Sequence, residues 1–155
     1  MTPLIMQTAI GQGNTLVSPM HMALITCAIA NDGVLMKPYL IDEVVNDSND
    51  TVKKTEPVPY KRLMSSNEAN LLGKLMKQVV DSGTASSLSG RSYTVAGKTG
   101  SAEADSDGTT HAWFVGFAPS NHPKLVVSIV VEGAGTGGKY AVPIAKKMFR
   151  EYLSK

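Results

Sequence analysis

VAGKTGSAEADSDGTTHAWFVGFAP, residues Val95 to Pro119, lies where the chain changes its period. Before it, apolar residues recur at helical spacing. From Arg91 onward they fall into short β-prone runs, Tyr93 to Glu103, His111 to Ala118 and Leu125 to Val131. Two short polar connections make these runs an antiparallel meander. The second and third are apolar on both faces (Ala112, Trp113, Phe114, Val115, Phe117; Val126, Val127, Ile129, Val130), which predicts layers packed above and below them. The first carries Ser92, Thr94, Lys98, Thr99 and Ser101, a composition that suits a sheet edge.

Upstream, Ser18-Pro19 offers an N-cap followed by proline at the first helical position. Met20, Ala23, Leu24, Cys27 and Ala28 follow at helical spacing, until Asn31-Asp32-Gly33 ends the helix. KPYLIDEVVNDSNDTVKKTEP (37–57) holds two short β-prone runs around the turn-rich Asn46 to Asp50, the pattern of a small hairpin, and Pro38, Pro57 and Pro59 confine it to an edge or appendage. A second helix opens with the capping box Ser65-Ser66-Asn67-Glu68. It carries Leu72, Leu75, Met76, Val79 and Val80 as an apolar stripe and closes at Gly83. Pro143 opens a terminal helix that places Ile144, Ala145, Met148, Phe149 and Tyr152 on one face.

Composition narrows the function classes. In 155 residues, 43% hydrophobic, there is material for a real core. The 15 basic and 13 acidic residues are spread along the chain, so no basic patch marks a nucleic-acid partner. A single cysteine, Cys27, excludes an intrachain disulfide and a cysteine metal site, and its apolar setting predicts a buried thiol. The longest candidate membrane stretch, Met22 to Ala30, is about half of the roughly 20 residues a spanning helix needs. MTPLIMQTAIGQG has neither a basic leader nor a cleavage site and reads as an internal segment rather than a signal peptide.

The chemistry concentrates at Lys98-Thr99-Gly100-Ser101. Gly97 and Gly100 would let a ligand approach the backbone closely, and an edge strand offers unpaired N–H and C=O groups to an extended peptide. A lysine with two hydroxyls would bind a carboxylate there. GAGTGGK (133–139) fits G-x-x-x-x-G-K between a strand and a helix, the context of a nucleotide-phosphate loop. Against that reading, Tyr140 stands where Ser or Thr should ligate magnesium, and Pro143 and the antiparallel sheet do not suit a parallel phosphate-loop fold. His21, His111 and His122 lack metal-ligand spacing, so no metal or cofactor is expected; His111, just before Trp113, is placed near the mouth of the KTG cleft. Glu103, Asp105 and Asp107 read as a solvated turn.

QTAIGQGNTLVSPMHMALITCAIANDGVLMKPYL (7–40), VVDSGTA (79–85), the KTG strand, AWFVGFAP (112–119) and GGKYAVPIAKKMF (137–149) together resemble, in order, the C-terminal part of the transpeptidase domain of class B penicillin-binding proteins. The resemblance covers nearly the whole chain. It implies an α+β, partial penicillin-binding and serine β-lactamase-like transpeptidase fold. Residues 1–90 would be a helical part with a small hairpin, and 91–155 the KTG strand, two further strands and a C-terminal helix. It also implies a serine acyl-enzyme that cross-links peptidoglycan stem peptides, binds β-lactams, and works at the extracytoplasmic face of a bacterial membrane. Lys98 would then supply positive charge near the nucleophile, Thr99 and Ser101 would hold the substrate or β-lactam carboxylate, Gly100 would keep the approach open, and the Ser101 N–H would be an oxyanion donor. The family's S-x-x-K nucleophile motif occurs nowhere in the sequence. The one S-x-N, Ser65-Ser66-Asn67, is a helix cap in the wrong order along the chain. The expectation is therefore one wall of the site, inactive by itself, that pairs with the N-terminal part of the same domain and, lacking it, self-associates along the Leu125–Val131 edge or across an uncovered sheet face. The alternatives are a P-loop-like nucleotide binder and a catalytically silent interaction module of the same fold.

Overall fold

A computed structural model of the chain describes residues 3–13, 15–103 and 108–154. Helix α1 spans Pro3–Ala9 and leads into the Gly11-Gln12-Gly13 turn. Helix α2, Pro19–Ala30, starts as its sequence dictates: Ser18 Oγ accepts the His21 N–H at 3.2 Å, and Pro19 takes the position whose N–H would have had no partner. It stops where Gly33, at φ 84°, turns its N–H back to Ala28 O at 2.8 Å.

The expected hairpin is present, as β2 (Glu43–Val45) against β3 (Thr51–Lys54), with Asn46 Oδ1 accepting the N–H groups of Ser48 and Asp50 across the turn. A second antiparallel pair encloses it: β1 (Val34–Met36) with β4 (Pro59–Arg62). Both strands of the hairpin are exposed throughout, which fits an appendage. Helix α3, Ser66–Ser82, has the full capping box, with Ser65 Oγ accepting the Glu68 N–H and Glu68 Oε2 accepting the Ser65 N–H at 2.8 Å. Of its apolar stripe, Met76 and Val80 are buried and Val79 is half-buried, whereas Leu72 and Leu75 face outward. At its end, a Cβ on Gly83 would come within 2.9 Å of the Val79 backbone, so only glycine fits.

The main sheet is the antiparallel meander: β5 (Ala96–Glu103), β6 (Thr110–Ala118) and β7 (Leu125–Val131), in the order β5-β6-β7. The first strand begins at Ala96 rather than Tyr93. Thr94 is withdrawn from the ladder because its carbonyl and hydroxyl both accept the Ser120 N–H, which pins the β6–β7 turn. Of the acidic turn residues, Glu103 is the exposed end of β5, while Asp105 and Asp107 lie outside the described residues.

Register settles the two faces. Lys98 pairs with Val115 and Gly100 with Trp113, and these continue to Ser128 and Val130 on β7. On this face Ala96, Phe117 and Met76 make one core cluster, with Ile29 and Ala30 of α2 packed against it. The opposite face, with Ala112, Phe114, Val127 and Ile129, packs on Ala141, Val142, Ala145 and Phe149 of α4, Gly137–Leu153. Layers on both sides are what two-faced apolar strands require.

Two expectations are corrected by α4. It starts at Gly137, not at Pro143, which lies inside it and removes one i→i−4 bond. Its buried face is accordingly Ala141, Val142, Ala145 and Phe149, whereas Ile144, Met148 and Tyr152 are exposed. The early start has a steric cause. A Cβ on Gly137 would overlap Trp113 O and approach Gly100 O to 2.6 Å, so a bare backbone there lets the helix begin in contact with β5 and β6. No helix among the described residues is long and apolar enough to cross a membrane.

Candidate active site

Among the described residues β5 has β6 on one side and no strand on the other, so its outward edge is unpaired by any strand and open to an extended ligand. A cavity of about 610 Å³ opens along it. Lys98, Gly100, Ala102 and Trp113 form its floor, and Ile10, Gly11, Val17 and Met22 line it from the N-terminal segment and α2. A larger depression of about 830 Å³, lined by Lys74, Lys77, His122 and Lys124 among others, involves none of the KTG residues.

Alternation along β5 decides what each residue does. Lys98 lies on the α2-side face and is exposed, and among the described residues its ammonium meets no carboxylate; Nζ donates to Thr99 O at 2.7 Å. Thr99 turns to the α4 side and is 9% exposed, its hydroxyl 2.5 Å from that of Thr84. One hydroxyl of such a pair donates and the other accepts, so one proton stays available to a third group. Ser101, two residues on, has the same orientation but is exposed, and its carbonyl accepts from Gln12 Nε2 at 3.1 Å. Thus the outward carbonyls of Thr99 and Ser101 are each met by a side-chain donor, and the Ser101 N–H lies on the same side of the strand.

Gly100 faces Trp113, where an added Cβ would lie 3.2 Å from Trp113 Cβ. Gly97 serves the other face. The Phe114 ring crosses it so closely that a Cβ there would be 2.6 Å from Cε2. Along the one strand Lys98 and Gly100 lie on the α2-side face and Thr99 and Ser101 on the α4-side face, while Thr84 and Gln12 meet Thr99 and Ser101 from elements distant in the chain. Their signals, the GTA after α3 and the GQG turn after α1, are visible in the sequence but carry no chemistry until folded.

The other candidates take structural places. His111 Nδ1 accepts the Gly133 N–H at 3.1 Å and so tethers the loop before α4. His21 is exposed on α2, and His122 lies at the larger depression. In the Gly133–Lys139 run, Gly137 is packed against strand backbone and Lys139 Nζ lies 5.1 Å from the Tyr140 ring centroid. Cys27 is half-buried, and burial pushes its thiol pKa up.

Residues 3–150 match the family described as "Penicillin binding protein transpeptidase domain". The peptidoglycan D,D-transpeptidase PbpA of Mycolicibacterium smegmatis is 35% identical over 150 residues, which is 90% of this chain and 30% of that protein. Stage V sporulation protein D of Bacillus subtilis is also 35% identical, over 94% of this chain and 24% of its own length. The structure of penicillin-binding protein A from M. tuberculosis, a ceftriaxone acyl-enzyme complex, superposes with a TM-score of 0.87 at 30% identity, covering 95% of this chain and 35% of that one. The chain therefore spans about a quarter to a third of the length of the curated relatives it matches. With the meander, the two packed faces and the KTG edge strand all in the expected order, this chain belongs to the penicillin-binding protein transpeptidase family, among its class B members.

Proposed function

We propose that this chain forms the KTG wall of a serine D,D-transpeptidase site that cross-links peptidoglycan stem peptides and is acylated by β-lactams. The observation that carries the reading is β5 itself, a free edge whose exposed Lys98 and Ser101 border one cavity. Lys98 raises the local positive potential for a substrate carboxylate and for the nucleophile. The Ser101 hydroxyl and the spare proton of the Thr84–Thr99 pair hold that carboxylate. The Ser101 N–H faces the developing oxyanion, a contact worth about two to three orders of magnitude in rate. Gly100 leaves the backbone open to the ligand.

The nucleophile comes from an S-x-x-K segment outside this sequence, on the N-terminal part of the same domain, and the whole enzyme works at the extracytoplasmic face of the membrane. The 155-residue chain is inactive by itself. Without that partner segment the outer edge of β7 is a template for a second copy, and two-fold pairing along Leu125–Val131 follows; the packing of α2 and α4 on the two sheet faces supports the edge as the route. Light scattering over a concentration series, with hydrogen exchange at Val126 to Val131, checks this. A strict monomer with loop-like exchange there refutes it.

Intact-mass measurement with penicillin G tests the function. The 155-residue chain should gain no adduct, and the full-length protein containing it should gain one. Lys98→Ala in the full-length protein should slow acylation at least tenfold while circular dichroism stays unchanged. A stoichiometric adduct on a serine of the isolated chain, or unchanged acylation by the Lys98 variant, refutes the assignment.

A further inference from the structure

The segment of residues 3–13 meets the sheet at β5. Among the described residues, the only hydrogen bond linking this segment to another element runs from Gln12 Nε2 to Ser101 O, at 3.1 Å. The segment's other bonds outside α1 are internal, from the N–H groups of Ile10, Gly11 and Gln12 to the carbonyls of Gln7 and Thr8. Gln12 is half-buried, and its neighbours Ile10 and Gly11 line the cavity that holds Lys98 and Trp113. The acceptor is no arbitrary carbonyl. It lies on the outward side of β5, where an extended ligand would pair.

We propose that Gln12 is a positioning residue for the acyl donor, acting through the Ser101 carbonyl. The inference rests on the reading of β5 as the substrate wall. A carbonyl oxygen has two lone pairs. Gln12 takes one of them, and in doing so it fixes the Ser101–Ala102 peptide plane and directs the other lone pair along the open edge. A ligand that offers an N–H beside its reacting carbonyl meets an acceptor already oriented, as in strand addition. Without Gln12 that peptide plane is held only by the β5–β6 ladder near the strand's end, where Ala102 pairs with His111, and the N-terminal lining of the cavity loses its tie. The role is ligand-dependent: it acts on donors that present an N–H and not on those that lack one.

The test uses the full-length protein and two probes. Penicillin G carries an amide N–H on the carbon next to the β-lactam carbonyl; imipenem carries a hydroxyethyl group there and no N–H. Gln12→Ala should slow acylation by penicillin G about five- to tenfold, the scale of one neutral hydrogen bond, and slow imipenem less than about twofold on the same basis. A purely structural role would slow both alike, so equal slowing of both, or slowing of neither, overturns the proposal. Hydrogen exchange across residues 7–13 is read in parallel. It should accelerate in the variant, and unchanged exchange overturns the inference whatever the acylation rates. If the wild-type protein acylates with neither probe, the function proposed above fails and the acyl-donor role with it, while the exchange result still shows whether Gln12 ties its segment to β5.

Discussion

Glycine to alanine within a helix normally stabilises, by about 1 kcal/mol from propensity alone. Gly137 and Gly73 should respond with opposite signs. At Gly73, in the middle of α3, a new Cβ meets only Phe117 Cζ at 3.6 Å, an ordinary contact. Gly73→Ala should therefore gain about 1 kcal/mol, or about 2–4 °C in Tm for a chain of this size. At Gly137, the first residue of α4, the new Cβ would overlap Trp113 O and lie 2.6 Å from Gly100 O and 3.0 Å from Gly100 N. Nonbonded heavy atoms reach their optimum at roughly 3.5–4.0 Å, so the helix start must retreat by about 1 Å. These are backbone atoms of two paired strands, and no side-chain rotation relieves them. Overpacking of this kind costs typically about 1–3 kcal/mol, and immobile neighbours place it at the upper end. After the propensity gain is subtracted, Gly137→Ala should lose about 2 kcal/mol, or roughly 4–8 °C in Tm. Thermal unfolding by circular dichroism on both variants, side by side, is the assay. Because the displaced atoms belong to Gly100, acylation of the full-length protein should fall in Gly137→Ala as well. A Gly137 variant as stable as wild type, measured while Gly73→Ala shows its gain, would refute the close approach of α4 to the KTG backbone.

Three further outcomes follow from individual contacts. Thr84→Val leaves the nearly buried Thr99 hydroxyl without its partner, which should cost about 1–3 kcal/mol in denaturant unfolding and reduce acylation of the full-length protein; Thr84→Ser should retain both. Because burial raises the pKa of the Cys27 thiol, little thiolate forms near neutral pH, and iodoacetamide should modify Cys27 more slowly than a small-molecule thiol under the same conditions; an equal rate would contradict the burial. Ser65, through its side-chain and backbone hydrogen bonds, lowers the pKa of Glu68 below the ordinary glutamate value. Its contribution to stability is fully present above the unfolded-state pKa and is lost as pH falls through the lowered folded value. The stability gap between wild type and Glu68→Gln should accordingly be widest near neutral pH and close on acidification, as followed by urea midpoints.

Much of this protein is legible from local sequence because its signals are local. Ser18-Pro19 and Ser65 to Glu68 carry their caps within a single turn, and the shift to two-faced apolar runs after Arg91 announces the buried strands; α2, α3 and the meander stand where these signals put them. The KTG strand, too, is readable as an edge from its hydroxyls and lysine. Tertiary structure decided what depends on neighbours far away in the chain. The β1–β4 pair could not be read from two short runs that lie on either side of the hairpin and are distant in the chain. Pro143 marks a helix start by the usual rule, yet α4 begins six residues earlier, because Gly137 can touch the backbone at Gly100 and Trp113 and the close packing repays one missing bond. At the candidate site, the KTG run and the resemblance it carries put forward Lys98, Thr99, Gly100 and Ser101, but only the fold turned Thr99 inward to Thr84 and brought Gln12 across 89 residues to the Ser101 carbonyl. Periodicity and caps are properties of a few consecutive residues. A site wall is a property of which strand edge is left open, and that is set only when all the layers have packed.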